Sequence, residues 1–173
     1  EIIAKVWNKR KYLNPLNIII IGNFELLKKQ FKTLGYKIKL QKINEVNNFK
    51  FKKKLHIFDI PLKFKDPFNV SFRNKKKYLE NSFSIGVDLV ERKKGIGLIN
   101  CAIDKKDLDL SKKIHGITEY LAKKKGILGN EAMLIYNKSL SVSPLTTHIK
   151  LNDVSREITK GLIIKKILTI NNF

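Results

Sequence analysis

The chain predicts an α/β fold with a largely parallel, partly mixed sheet. Two observations predict it. Short, mainly apolar runs at residues 16–21, 55–60 and 96–102 have strand length and suit strands covered on both faces. Between them lie longer segments whose apolar residues return every three or four positions, the period of a helix. Such alternation places helices over a mostly parallel sheet.

The elements follow in order. Residues 2–11 read as a helix closed by Asn14-Pro15. The run 16–21 ends at Gly22 and reads as a strand. Residues 24–34 carry Phe24, Leu27, Phe31 and Leu34 on one helical face, with Gly35 where a helix C-terminus favours glycine. Residues 36–40 alternate, as a strand at or near a sheet edge does. Residues 44–54 are polar and read as a loop, and residues 55–60, ended by Pro61, read as a strand. The aromatic stretch 63–74 has no clear pattern. A long helix is expected over 76–92, a buried strand over 96–102 and a short helix from about Lys106. Residues 118–125 are helical. Two strands, 131–136 and 139–145, are joined by Asn137-Lys138, and helices over 151–157 and 159–169 close the chain.

The 173 residues are expected to form one α/β unit. With 43% hydrophobic residues the chain can build a core, so disorder is not expected. No apolar run is long enough for a bilayer span, and the N-terminus carries no signal-peptide pattern. The single Cys101 excludes an internal disulfide and suits a cytoplasmic location. It reads as a small apolar strand residue. The net charge of +21 fits a nucleic-acid binder. However, 32 of the 36 basic residues are Lys and only Arg10, Arg73, Arg92 and Arg156 are Arg. Arg is the residue that reads and stacks on bases. The lysine runs at 52–54, 75–77 and 123–125 are spread along the chain as solvated faces, so nucleic acid is not the expected partner. The same charge would attract an anionic, phosphorylated substrate.

Four segments carry the chemistry. They are Ala102-Ile103-Asp104-Lys105, Gly116-Ile117-Thr118-Glu119, Ala132-Met133-Leu134 and Thr146-Thr147-His148-Ile149-Lys150-Leu151-Asn152-Asp153-Val154. By themselves they are ordinary: a lysine among many, a threonine able to cap a helix, a histidine at a strand end. Gly95-Ile96-Gly97 lacks the third glycine of a dinucleotide fingerprint. His56 alternates with apolar neighbours and reads as structural, and His115 as a loop residue.

In order and spacing the four segments resemble the 4-hydroxythreonine-4-phosphate dehydrogenase family, whose pattern runs P-I-N-K, G-H-T-E, M-M-L and T-T-H-x-P-L followed by D-V. Glu1-Ile2-Ile3-Ala4-Lys5 is similar to the continuation of the family's G-I-G-P-E motif. The resemblance covers nearly all of the chain but only the N-terminal and middle part of the family's length. It implies a three-layer α/β/α fold like isocitrate and isopropylmalate dehydrogenases, which bind their cofactor without the glycine fingerprint. The implied activity is NAD-dependent, metal-dependent oxidation of 4-phosphooxy-L-threonine. The β-keto acid formed loses carbon dioxide to give 3-amino-2-oxopropyl phosphate, in pyridoxal phosphate biosynthesis. Implied cofactors are NAD and a divalent metal (zinc, magnesium or cobalt), and the implied assembly is a homodimer with the site at its interface.

Residue by residue, the resemblance makes His148 one of three metal-ligating histidines. The segments bearing the other two, N-P-H-A-G and Y-H-D-Q-G, do not occur here. Thr118 becomes a substrate-binding residue and Lys105 a candidate catalytic or phosphate-binding one. The chain departs from the pattern at Ile117, where the family has His, and at Ala102 and Asp104. Isoleucine can neither donate a hydrogen bond nor carry charge. A member acting on another phosphorylated hydroxy acid, or one with impaired catalysis, is therefore the alternative.

Overall fold

The computed structural model describes residues 1–10, 17–46, 53–108 and 116–172. The chain divides into two compact units, Glu1–Asp109 and Leu110–Phe173.

The first unit is built on a three-stranded parallel sheet, with β1 (Ile19–Gly22), β2 (Leu40–Ile43) and β3 (Leu55–Asp59) in the order β1-β3-β2. Ile20 and Lys42 both lie opposite Ile57, so β3 is the central strand. Leu55, His56 and Ile57 are buried, as expected of a strand flanked on both sides. Helix α1 (Ile2–Asn8) contributes Ala4 and Trp7, and helix α2 (Phe24–Thr33) contributes Leu27 and Phe31. With Leu55 and Ile57 these make one core cluster. The Arg10 guanidinium caps that core from outside, 4.3 Å over the Trp7 ring.

Helix α2 shows why this region folds as the sequence predicts. Asn23 caps its start, its side chain accepting from the Leu26 N–H. Its end is a Schellman turn. Tyr36 N–H donates to Phe31 O at 2.9 Å and Gly35 N–H to Lys32 O at 3.2 Å. The Tyr36 and Phe31 rings then meet edge to face at 6.1 Å. Gly35 sits at φ 73°, so Gly35→Ala is expected to destabilise the unit by about 1 kcal/mol. A denaturation midpoint equal to wild type would contradict this.

The same turn explains a correction. The alternation at 36–40 does not form a strand, because Tyr36 is spent closing α2. Pairing begins at Leu40, opposite Leu55, and runs to Ile43 at the sheet edge. Leu16, Lys11 and Asn14-Pro15, along with residues 47–52 of the expected loop, lie outside the described residues.

Helix α3 (Phe72–Glu91) starts four residues before the expected position and buries Phe83 and Gly86. A Cβ at Gly86 would come within 2.8 Å of Leu98 and 3.2 Å of Ile21, so the helix lies close against β1 there. The predicted buried strand over 96–102 is absent. Ile96 and Ile99 are 97% and 94% exposed, and Cys101 is exposed rather than packed. The run is apolar enough for a strand, but no described strand runs beside it to take its backbone hydrogen bonds. A 3-10 turn at Lys105–Leu108 stands near the predicted short helix.

His56 is 3% exposed, in keeping with its structural reading. Burial lowers its pKa below the ordinary 6.5, and the charge of Lys54 acts the same way. The unfolded chain therefore takes up a proton before the folded one as pH falls. Stability from this group is complete above about pH 6.5 and is lost below it, towards the folded pKa. The unfolding midpoint is expected to fall between about pH 7 and pH 5, and His56→Gln is expected to flatten that slope. Parallel pH profiles for the two proteins would refute the assignment.

The second unit holds helix α4 (Ile117–Lys124), a 3-10 turn at Leu151–Asp153, helix α5 (Val154–Glu157) and helix α6 (Lys160–Asn171). Thr159 caps α6 by accepting from the Leu162 N–H. The two strands predicted over 131–145 reduce to a single antiparallel bridge. In it Ile135 and Val142 exchange both backbone hydrogen bonds, at 2.8 and 2.9 Å. Asn137 Oδ1 accepts from the Ser139 N–H and sets the tight connection. The ribbon is short, and among the described residues its apolar side chains, Met133 to Tyr136, Leu140 and Val142, stay exposed. Among the described residues of this unit, Ala122 is the one buried apolar side chain.

Candidate active site

The start of α4 carries two of the predicted residues. Gly116 is the N-cap, extended and without a side-chain cap. An added Cβ there would lie 3.0 Å from Glu119 Oε2, so the Glu119 carboxylate folds back over the first turn. That placement agrees with an acid in a first turn. Ile117 is the first helical residue and half-buried. Thr118 is the second and exposed. Thr118 is thus not the cap that it can be on sequence grounds. Its hydroxyl is open to solvent, beside backbone N–H groups that begin a helix.

Lys105 opens the 3-10 turn of the first unit. Asp104 caps that turn, its carboxylate accepting from the Lys106 N–H at 3.0 Å. Asp107 pairs with Lys75 of α3 at 3.9 Å, tying the turn to the sheet unit. The side chain of Lys105 and the whole of His115 lie outside the described residues.

His148 stands after the ribbon, exposed, with φ 59°. A non-glycine residue in this left-handed region is uncommon and costs free energy. Among the described residues no three His, Cys, Asp or Glu side chains gather as a metal site. His148 therefore supplies one donor at most, and the described residues do not fit a metal ion by themselves. Lys105 belongs to the first unit; Ile117, Thr118 and His148 belong to the second.

Sequence reasoning missed the polar knot at the C-terminal ends of β1 and β3. Asp59 Oδ1 accepts from the Phe24 N–H at 2.7 Å while Oδ2 pairs with Lys42 at 2.6 Å. Asn23 Nδ2 donates to Ile60 O at 2.8 Å, and the Asn23 N–H donates to the Tyr78 hydroxyl at 3.1 Å. Burial, foremost, pushes the Tyr78 phenol up. This is where ligand sites of α/β sheets gather, yet these groups bond to one another and fasten the start of α2. The available signal was an asparagine directly between a strand-ending glycine and an apolar helix. A groove of about 420 Å³ beside α2 and β2, floored by Phe24, Phe31 and Tyr36 and edged by Lys28, Lys32 and Lys37, contains none of the predicted residues.

The sheet and its covering helices define an α/β protein with parallel strand order. Residues 14–173 match the family model described as pyridoxal phosphate biosynthetic protein PdxA, and the chain belongs to that family. This is the family its motifs resemble. The chain is 31% identical to the 4-hydroxythreonine-4-phosphate dehydrogenase of Sulfurihydrogenibium sp. (strain YO3AOP1), over 99% of this chain and 52% of that one. It is 28% identical to the protein of that name from Aquifex aeolicus (strain VF5), over 98% and 52%. The solved 4-hydroxythreonine-4-phosphate dehydrogenase of Burkholderia phymatum superposes with a TM-score of 0.80 at 23% identity, over 96% of this chain and 51% of that one. The likeness to the solved structure speaks for the fold. The chain spans about half the length of these relatives.

Proposed function

We propose that the protein to which these residues belong is an NAD-dependent oxidoreductase of pyridoxal phosphate biosynthesis. It oxidises 4-phosphooxy-L-threonine. The match over residues 14–173 carries this reading. The retained positions of Lys105, Thr118 and His148 support it. In the reaction the carbinol carbon gives a hydride to the nicotinamide and its hydroxyl gives up a proton. The ketone then lies β to the carboxylate, carbon dioxide leaves, and a proton replaces it on carbon.

In this reading Thr118 and the free N–H groups of α4 hold the anionic substrate, and Lys105 supplies a point charge to phosphate or to the reacting oxygen. Cofactors are NAD and a divalent metal (zinc, magnesium or cobalt). His148 would be one metal ligand, and the others would come from beyond the described residues. The complete fold is three-layered and isocitrate dehydrogenase-like, and the protein works as a cytoplasmic homodimer. Among the described residues no helix is long and apolar enough to cross a membrane.

The test is NADH formation by the full-length protein on 4-phosphooxy-L-threonine and on a panel of other phosphorylated hydroxy acids. Turnover specific to the first supports the reading. Preference for another substrate, or no turnover, would sink it and give weight to the substitution at Ile117.

A further inference from the structure

Three ammonium groups stand unanswered around one groove of the first unit. Lys28 and Lys32 are four residues apart on α2, so they share a face, and like charges at that spacing destabilise a helix. Lys37 follows the turn that closes α2 and edges the same groove. All three are exposed, and among the described residues no carboxylate pairs with them. No acid lines the groove. Its floor is aromatic, with Phe24 and Tyr36 half-buried and Phe31 buried. The Lys28 ammonium already stands 6.0 Å over the Phe24 ring.

We infer that this groove binds a small aromatic phosphate, a single ring bearing one phosphate group. The sign of the rim calls for an anion. Its composition calls for phosphate. Lysine meets phosphate as a compact point charge, whereas the planar fork that pairs with a carboxylate belongs to arginine, and no arginine lines the groove. The floor offers ring faces and edges, against which a flat aromatic body stacks. The volume, about 420 Å³, lies at the smaller end of the range for small-molecule sites and suits one ring. Lys105, Thr118 and His148 do not line it, so this site is additional to the proposed reaction and its failure would leave the turnover result intact.

The experiment is calorimetric titration of the full-length protein with pyridoxine 5′-phosphate, a ring phosphate that has no aldehyde to react with lysines at large. Physiological ionic strength screens attraction by net charge alone. The expected result is saturable binding that Lys28→Gln/Lys32→Gln/Lys37→Gln weakens at least ~10-fold, the sum of three exposed charge contacts. The unfolding midpoint of this variant should equal or exceed that of wild type, because a like-charge pair is gone. Inorganic phosphate and unphosphorylated pyridoxine should each bind at least ~10-fold more weakly than the ring phosphate. No saturable binding, or equal binding by the groove variant, overturns the inference. An equal loss in Lys9→Gln/Lys94→Gln/Lys138→Gln, which removes the same charge elsewhere on the surface, overturns it too, since the effect would be net charge. Inorganic phosphate that binds as tightly as the ring phosphate would leave the aromatic floor without a part and sink the assignment.

Discussion

Ile57→Ala is expected to cost the first unit about 2–5 kcal/mol. Ile57 is fully buried in the central strand, facing the core that Trp7, Leu27 and Phe31 complete. Truncation removes the transfer free energy of three carbons and leaves a cavity that a strand held on both sides cannot collapse around. Against a total stability of about 5–15 kcal/mol, such a loss brings the unit near its unfolding threshold. The measurement is specific because Trp7, the single tryptophan, sits in the same core. Its fluorescence reports the unfolding of this unit. A loss below about 1 kcal/mol would mean that β3 is not the centre of a packed sheet.

His148→Gly separates chemistry from stability at one position. Glycine accepts φ 59° without the penalty that a side chain brings, so the substitution is expected to relieve about 1 kcal/mol of backbone strain, set against whatever contact the imidazole makes. In the full-length protein the same change is expected to lower turnover on the order of 10²-fold or more, about 3 kcal/mol of lost transition-state stabilisation. Strain held at an exposed residue is the pattern of a site kept for function. If turnover survives, the His148 side chain carries no chemistry, and neither does the resemblance at Thr146-Thr147-His148.

Where the sequence was legible, local and global signals agreed. Helix α2 shows this best. Its apolar period and Gly35 after its last turn each name the helix, and Tyr36 adds the closing contact. β3 was legible because a run bounded by lysines and Pro61 has only one way to be buried. The 96–102 and 131–145 runs misled because apolarity says that a segment wants cover without saying what provides it. Ile96, Ile99 and the ribbon side chains are exposed, and a strand needs a neighbour's backbone as well as an apolar face. The family was legible in four short motifs, whereas their mutual geometry was not, since Lys105 and His148 lie in separate units. Asn23 and Asp59 escaped notice because their bonds to Ile60 and Phe24 join residues 37 and 35 positions apart, which no local window contains.

The strand order β1-β3-β2 bears on how the protein is made. The first two strands to leave the ribosome have no partner in each other, for the strand that joins them is the last of the three to be synthesised. Until Leu55–Asp59 emerges, Ile19–Gly22 and Leu40–Ile43 are two strand segments without their partner. At about 5–20 residues per second that interval lasts on the order of seconds. A chain in this state is exposed to wrong pairing, and the abundant lysines around these segments give it mutual repulsion while it waits.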